Sequence, residues 1–91
     1  MEAYILVKCN TGCEVRIISE LKEIKEISEI NGIWGDYDIL LKILTFDPEG
    51  AEDIVRRLRN HPDVTETKTM HVLYGQGGTI DDDDDDYKDK K

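Results

Sequence analysis

The stretch 31–38, Asn-Gly-Ile-Trp-Gly-Asp-Tyr-Asp, combines glycines and acidic residues at a spacing suited to ligand binding. Because glycine has no Cβ, a bound molecule can approach the backbone closely. The amides of Gly35 and Asp36 can donate hydrogen bonds to an anionic group, and the carboxylate of Asp36 or Asp38 can accept them from a cationic group. We therefore predict a ligand-binding loop here. For Asp38, stabilisation of a turn is an equally good interpretation.

The other residues with reactive or metal-binding side chains are two cysteines and two histidines. Cys9 and Cys13 have a spacing that permits a redox pair or half of a metal site. A metal site needs further ligands, but His61 and His71 lie far away in the sequence. We interpret the cysteines as reduced thiols and His71 as a structural residue, and we predict neither a metal nor a cofactor. No acid-base pair or phosphate-cradling loop indicates an enzyme.

Two apolar runs of equal length, residues 27–34 and 37–44, flank the predicted loop. Both runs are rich in β-branched and aromatic residues, which predicts the two strands of a hairpin. Gly35-Asp36 is the predicted tip. Asn31-Gly32 is the alternative, since Asn-Gly favours a two-residue type I′ turn. With the tip at Gly35-Asp36, we expect Gly32 to mark a bulge or a close backbone approach within the strand.

The first helix is predicted to follow a strand at residues 4–9, whose continuous apolar run is typical of a strand covered on both faces. In Thr11-Gly12-Cys13-Glu14, the threonine hydroxyl and the glutamate carboxylate can satisfy each other's backbone amides, which is the pattern of a capping box. Apolar residues then recur at helical spacing. The predicted buried stripe consists of Val15, Ile18 and Leu21, with Ile17 and Ile24 as further candidates.

A second helix is predicted from Asp47-Pro48-Glu49, which supplies a capping aspartate, a proline for the first turn and an early acidic residue. Residues 60–63 should end this helix, and residues 64–74 should form the last strand. The apolar residues of the helix recur at i, i+3, i+4 and i+7: Ala51, Ile54, Val55 and Leu58.

The two halves of the chain repeat each other, since Ile17 matches Ile54 and Leu21 matches Leu58. We therefore predict the α+β class: a ferredoxin-like βαββαβ sandwich whose four-stranded antiparallel sheet carries two helices on one face. Leu40 should point away from the helices and leave an apolar surface on the other face. Because such a surface needs a partner, we expect homo-dimerisation through it.

The same residues resemble the effector-binding domain of the leucine-responsive regulator/AsnC transcription factors, over residues 4–73. Gly35-Asp36-Tyr37-Asp38 and the apolar run after it are similar to that family's Gly-x-Tyr-Asp turn and third strand. Pro62-Asp63-Val64 and Thr67-Lys68-Thr69 are similar to its Pro-Gly-Val and Thr-x-Thr segments. The resemblance implies a non-enzymatic sensing module of this type without its own DNA-binding domain. It further implies a dimer or higher homo-oligomer, with an amino-acid effector and full-length regulators of the family as partners.

An amino-acid pocket needs donors for a carboxylate, an acceptor for an ammonium group and a wall for the side chain. Trp34 stands where the family usually has a small residue such as threonine, so its indole could fill part of the pocket. The residues that the resemblance and the turn chemistry assign to the site are Ile33, Trp34, Gly35, Asp36, Tyr37, Asp38, Thr67 and Thr69.

Two other function classes stay open at this point. A small dimeric α+β-barrel enzyme of monooxygenase type would place a cavity inside each monomer, whereas an effector module would place its pocket between subunits. A pure assembly module would bind no small molecule and would act by mixing with full-length regulators.

The formal net charge of −9 argues against direct nucleic-acid binding, because phosphate backbones would repel the chain. We expect one domain at residues 1–75, followed by a disordered linker and acidic tail at residues 76–91. The chain carries no signal-peptide pattern and no apolar run of membrane-spanning length, which predicts a cytoplasmic protein without membrane contact.

Overall fold

A computed structural model describes residues 2–45, 48–73 and 75–78 of the chain. The strands form one antiparallel sheet in the order β2-β3-β1-β4. The predicted α+β class with a ferredoxin-like βαββαβ order is confirmed. The elements are β1 (Glu2–Cys9), α1 (Glu14–Leu21), β2 (Ile27–Gly32), β3 (Ile39–Leu44), α2 (Pro48–Arg59) and β4 (Val64–His71).

The hydrophobic core lies between the two helices and one face of the sheet. On β3 the predicted alternation is confirmed, since Ile39, Leu41 and Ile43 are fully buried while Leu44 is 55% exposed. Each fully buried side chain of this size contributes about 1.5–3 kcal/mol of transfer free energy. The pairs that revealed the internal repeat also occupy equivalent places, because both helices bury their matched apolar residues: Ile17 with Ile54, and Leu21 with Leu58.

The predicted start of α1 is wrong. The helix begins at Glu14 with Cys13 as its N-cap, and no side chain caps it. Gly12 has φ = +87° and turns the chain, so Thr11 lies outside the helix and cannot form the predicted capping box. Val15 is 77% exposed, contrary to the prediction. Two residues before the buried Ile17, it lies about 200° around the helix and points to the opposite side.

The hairpin strands are shorter than predicted, since residues 33–38 form a six-residue connection. Asn31 and Gly32 pair with β3, which excludes the alternative turn. Both interpretations of Gly32 are wrong. The register shift lies between Ile27 and Glu29, and a Cβ at Gly32 would meet its nearest neighbour, Ile18, at an ordinary 3.9 Å.

One face of the sheet is open in the single subunit, and we call it the open face. On β1 the side chains of Tyr4, Leu6 and Lys8 are half-buried there, so the strand is covered by helices on one face only.

The last strand ends at His71 rather than at residue 74. The predicted aspartate cap at residue 47 and the acidic tail lie outside the described residues. No helix in the described ranges has the length and apolar character to cross a membrane.

Candidate functional site

The connection between β2 and β3, residues 33–38, forms the predicted loop, and Asp38 fastens it to the sheet. The Asp38 carbonyl accepts from the Ile33 amide at 2.9 Å, and the Asp38 amide donates to the Val7 carbonyl at 2.9 Å. The Asp38 carboxylate accepts from the Cys9 amide, also at 2.9 Å. These three bonds support the structural interpretation of Asp38.

The tip of the loop is open. Gly35 has φ = +137°, a conformation that residues with a Cβ rarely adopt, and an added Cβ would meet nothing within 4 Å. Within the described residues, the amides of Gly35, Asp36 and Tyr37 have no hydrogen-bond acceptor. Trp34 is fully exposed, so its indole does not fill a pocket of its own subunit. The tip therefore offers unused donors in a place that a small anionic group can reach.

Tyr37 turns away from the tip and extends over the open face. Its hydroxyl donates to the Glu66 carboxylate at 2.9 Å, and the Lys8 ammonium lies 5.3 Å from the ring centroid. The hydrogen bond to Glu66 raises the pKa of Tyr37 above its ordinary value. With its hydroxyl bonded to Glu66, Tyr37 links the loop to β4.

Cys9 lies beneath the loop with a thiol unsuited to reaction. Burial raises the pKa of the Cys9 thiol to about 11, and the negative charge of Asp38 adds to the effect. Because the thiolate is the reactive and metal-binding form, this residue stays protonated and inert near neutral pH. Among the described residues, no group of three or more His, Cys, Asp or Glu side chains could hold a metal ion.

The two threonines of the predicted site lie on the helix face of β4. Thr67 pairs with Val7 and Thr69 with Ile5, both of which are buried under the helices. Thr69 borders a groove of about 390 Å³ between α2 and β4, here called the α2–β4 groove. Its lining consists of Ala51, Glu52, Val55, Arg56, Arg59, Thr69 and His71. Thr67 borders a smaller adjoining cavity of about 170 Å³, which Arg59 also lines.

The α2–β4 groove contains one guanidinium available for a ligand. Arg56 pairs with Asp53 at 2.6 Å on the exposed surface of α2. Arg59 has no ion pair or hydrogen bond within the described part of the chain, and the same holds for the hydroxyl of Thr69. The sequence interpretation missed this groove. The three-residue spacing of the two arginines, which puts them on one side of a helix, is the signal that could have revealed it.

The structure does not bring the threonines together with the loop tip in one subunit. β1 lies between β3 and β4 in the sheet, and the tip lies on the β2–β3 connection. Glu66, which contacts Tyr37, points to the open face, while its neighbour Thr67 points to the helix face. A site that uses both the tip and Thr69 therefore requires two subunits.

Comparison with known proteins gives one family. The sequence profile of the Lrp/AsnC ligand binding domain matches residues 2–75. No curated protein matches the chain significantly.

Several solved structures share the fold. FFRP-DM1 has 26% identity and a TM-score of 0.74, with 79% of this chain and 97% of that chain covered. The hypothetical protein PHS023 from Pyrococcus horikoshii has 25% identity and a TM-score of 0.72, with 87% and 98% covered. The transcriptional regulator NMB0573 from Neisseria meningitidis, solved as a complex with L-Met, has 21% identity and a TM-score of 0.72, with 86% and 53% covered.

Proposed function

Because the chain belongs to the Lrp/AsnC ligand binding domain family, we propose that it senses a small amino acid bound between its subunits. In this proposal the protein is a non-enzymatic dimer or higher oligomer that modulates transcription or metabolism through partner proteins. The L-Met complex of the similar regulator NMB0573 supports an amino acid as the class of effector.

The observation that carries the proposal is the open tip of the loop. Three consecutive amides without acceptors among the described residues can receive a carboxylate, and Gly35 leaves the space through which it approaches. The carboxylate of Asp36 makes no hydrogen bond or ion pair in the described ranges, so it is the better acceptor for the ammonium group. Asp38 holds the loop in place for both contacts.

The second half of the proposed site is the α2–β4 groove of another subunit. Thr69 contributes a hydroxyl with no internal bond, and Val55 contributes an apolar wall for the effector side chain. The assignment of the two halves of the site to different subunits agrees with the structure of the single subunit, in which the tip and Thr69 lie far apart in the sheet order.

A thermal-shift screen of the twenty amino acids tests the proposal. An effector at 100 times its dissociation constant should raise the free energy of unfolding by about 2.7 kcal/mol. A carboxylic acid without an amino group and an amine without a carboxylate serve as controls, because each lacks one of the two charged groups. If no amino acid changes the melting temperature while the oligomer stays intact, the sensing proposal is wrong and the assembly function is favoured.

A further inference from the structure

We propose that the amino acid sensed by this protein carries a second carboxylate, on its side chain, and that Arg59 receives this carboxylate in the α2–β4 groove. The inference rests on the proposed function, which places the backbone carboxylate and the ammonium group of the effector at the loop tip. It narrows the effector to the acidic amino acids, aspartate and glutamate.

Arg59 lies where the groove meets the smaller cavity beside it. It lines both spaces, which have volumes of about 390 Å³ and about 170 Å³. Its guanidinium has no partner among the described residues, whereas the neighbouring Arg56 is already paired with Asp53. Because a guanidinium can bind a carboxylate through two parallel hydrogen bonds, Arg59 is the residue of the groove best suited to hold one.

Two threonine hydroxyls on β4 add donors beside Arg59. Thr69 borders the groove and Thr67 borders the smaller cavity, and both side chains are half-buried. Neither hydroxyl has a hydrogen bond within the described ranges. Since residues two apart on a strand point to the same face, both hydroxyls lie on the side of β4 that faces α2. A carboxylate can accept hydrogen bonds from a guanidinium and a hydroxyl at the same time.

The same donors disfavour other kinds of effector side chain. An apolar side chain placed over Arg59, Thr67 and Thr69 would cover polar groups without offering them an acceptor, which costs binding free energy. A basic side chain would meet the guanidinium with a like charge. An amide side chain can accept from the guanidinium, but a hydrogen bond between two charged groups is stronger. The expected order of affinity is therefore acidic, then amide, then apolar.

The acidic residue in the groove lining, Glu52, lies away from Arg59. Seven positions separate the two residues in α2, which corresponds to about 10 Å along the helix axis. Glu52 lies towards the end of β4 at His71, whereas Arg59 lies beside the beginning of the strand. The last turn of α2 also contains Arg56 and Arg57, so a carboxylate bound there meets local positive charge despite the net charge of −9.

Isothermal calorimetry of the full chain with glutamate, glutamine and leucine tests the inference. Glutamine has nearly the size of glutamate without the charge, so the comparison of these two isolates the contribution of the charge. We expect glutamate to bind about tenfold or more tightly than glutamine, and leucine to bind most weakly. Aspartate and asparagine form a second matched pair with a shorter side chain, and the preference for the acid should appear in at least one pair.

Substitutions in α2 identify the residue responsible. Arg59→Gln should lower the affinity for glutamate to that for glutamine and leave glutamine binding nearly unchanged. Arg59→Glu should reverse the preference, so that lysine binds more tightly than glutamate. Arg57→Gln is the matched control, because it removes the same charge from the same helical turn outside the groove lining. An equal loss with Arg57→Gln would overturn the assignment, since the general charge of the helix end would then be responsible.

Glutarate has two carboxylates but no amino group, and it separates an amino-acid site from a general anion site. It should bind about tenfold or more weakly than glutamate, and equal binding would overturn the inference. Tighter binding of an apolar amino acid, unchanged by Arg59→Gln, would contradict this inference while the sensing function stands. If no amino acid binds the wild type, the sensing function is wrong and the inference falls with it.

Discussion

Gly35 determines the shape of the loop tip through its backbone rather than through a side chain. Its φ of +137° is strained for any residue with a Cβ, although the space around the Cβ position is empty. The proposed sensing function therefore depends on a backbone conformation, and substitutions that change the conformation should affect binding more than those that only change charge.

Gly35→Val is expected to abolish the stabilisation by amino acids, because the β-branched side chain moves the backbone and blocks the approach of a carboxylate. Thermal-shift measurements with the best amino acid from the screen check this result. The control is Gly77→Val, since Gly77 also has a positive φ of +96° with nothing within 4 Å. Retained stabilisation in Gly35→Val would exclude the tip as the carboxylate site.

Thr69→Ala should weaken amino-acid binding more mildly. The Thr69 hydroxyl has no internal hydrogen bond in the described ranges, so its removal costs the binding free energy of one net hydrogen bond, about 0.5–1.5 kcal/mol. Isothermal calorimetry of the variant measures the loss directly. Thr11→Ala changes an exposed threonine outside both the loop and the groove, and it should bind as the wild type does.

Cys9 makes the stability of the fold sensitive to alkaline pH. Its folded-state pKa is raised from 9.0 to about 11, so the folded state keeps a proton that the unfolded state loses. The contribution of Cys9 to the free energy of unfolding is therefore fully present below pH 9 and is lost as the pH rises towards 11. Denaturant unfolding between pH 8 and 11 should show this decline, and Cys9→Ala should reduce it.

Under native conditions, a thiol reagent should modify the half-buried Cys13 before Cys9.

β1 and β3 lie at the centre of the sheet and give the open face its apolar character. Leu6 and Leu40 pair directly across these strands, and Leu44 and Met70 are 55% and 40% exposed on the same face. Lys42 covers part of this surface, with its ammonium 5.9 Å from the Tyr4 ring centroid. A second sheet can bury this surface, which supports a dimer with its sheets face to face.

Leu40→Asp is predicted to dissociate this dimer, since it would bury a carboxylate without a partner in the interface. Sedimentation equilibrium at micromolar concentration gives the mass. Val15→Asp introduces the same charge on an exposed apolar position of α1 and should preserve the dimer. If Leu40→Asp keeps the mass and the melting temperature of the wild type, the open face is not the dimer interface.

At the scale of the molecule, negative charge opposes every association between copies. Residues 81–91 contain seven acidic residues and three lysines, which contributes −4 to the net charge of −9. The low-complexity composition of this tail gives it little apolar surface to bury. Association through the open face must therefore overcome a repulsion to which the tail contributes almost half of the charge.

Deletion of residues 80–91 should leave the melting temperature and the dimer unchanged, because a tail of this composition has little apolar surface to bury. Differential scanning calorimetry and light scattering of the shortened chain check this prediction. Substitution of the six aspartates by asparagine separates the effects of charge and length. A large fall in melting temperature after deletion would show that the tail packs against the domain.

The sequence alone determined the fold class and most of the core. Alternation of side chains along β3 fixes which residues face the helices, and the helical spacing of Ala51, Ile54 and Leu58 fixes the buried side of α2. These patterns are local consequences of strand and helix geometry, so they can be predicted without knowledge of distant contacts. The repeated order of elements then restricts the topology to a ferredoxin-like sheet.

The partners of individual polar groups were decided only by the tertiary structure. Asp38 accepts from the amide of Cys9, which is 29 residues away, and no local pattern shows whether this carboxylate faces a ligand or a neighbouring strand. The α2–β4 groove likewise combines Arg59 with Thr69 because the last strand returns beside the helix. The sequence could place each residue on a face of its element. The position of one element against another depends on packing over the whole chain, and that packing produced the groove and separated it from the loop tip.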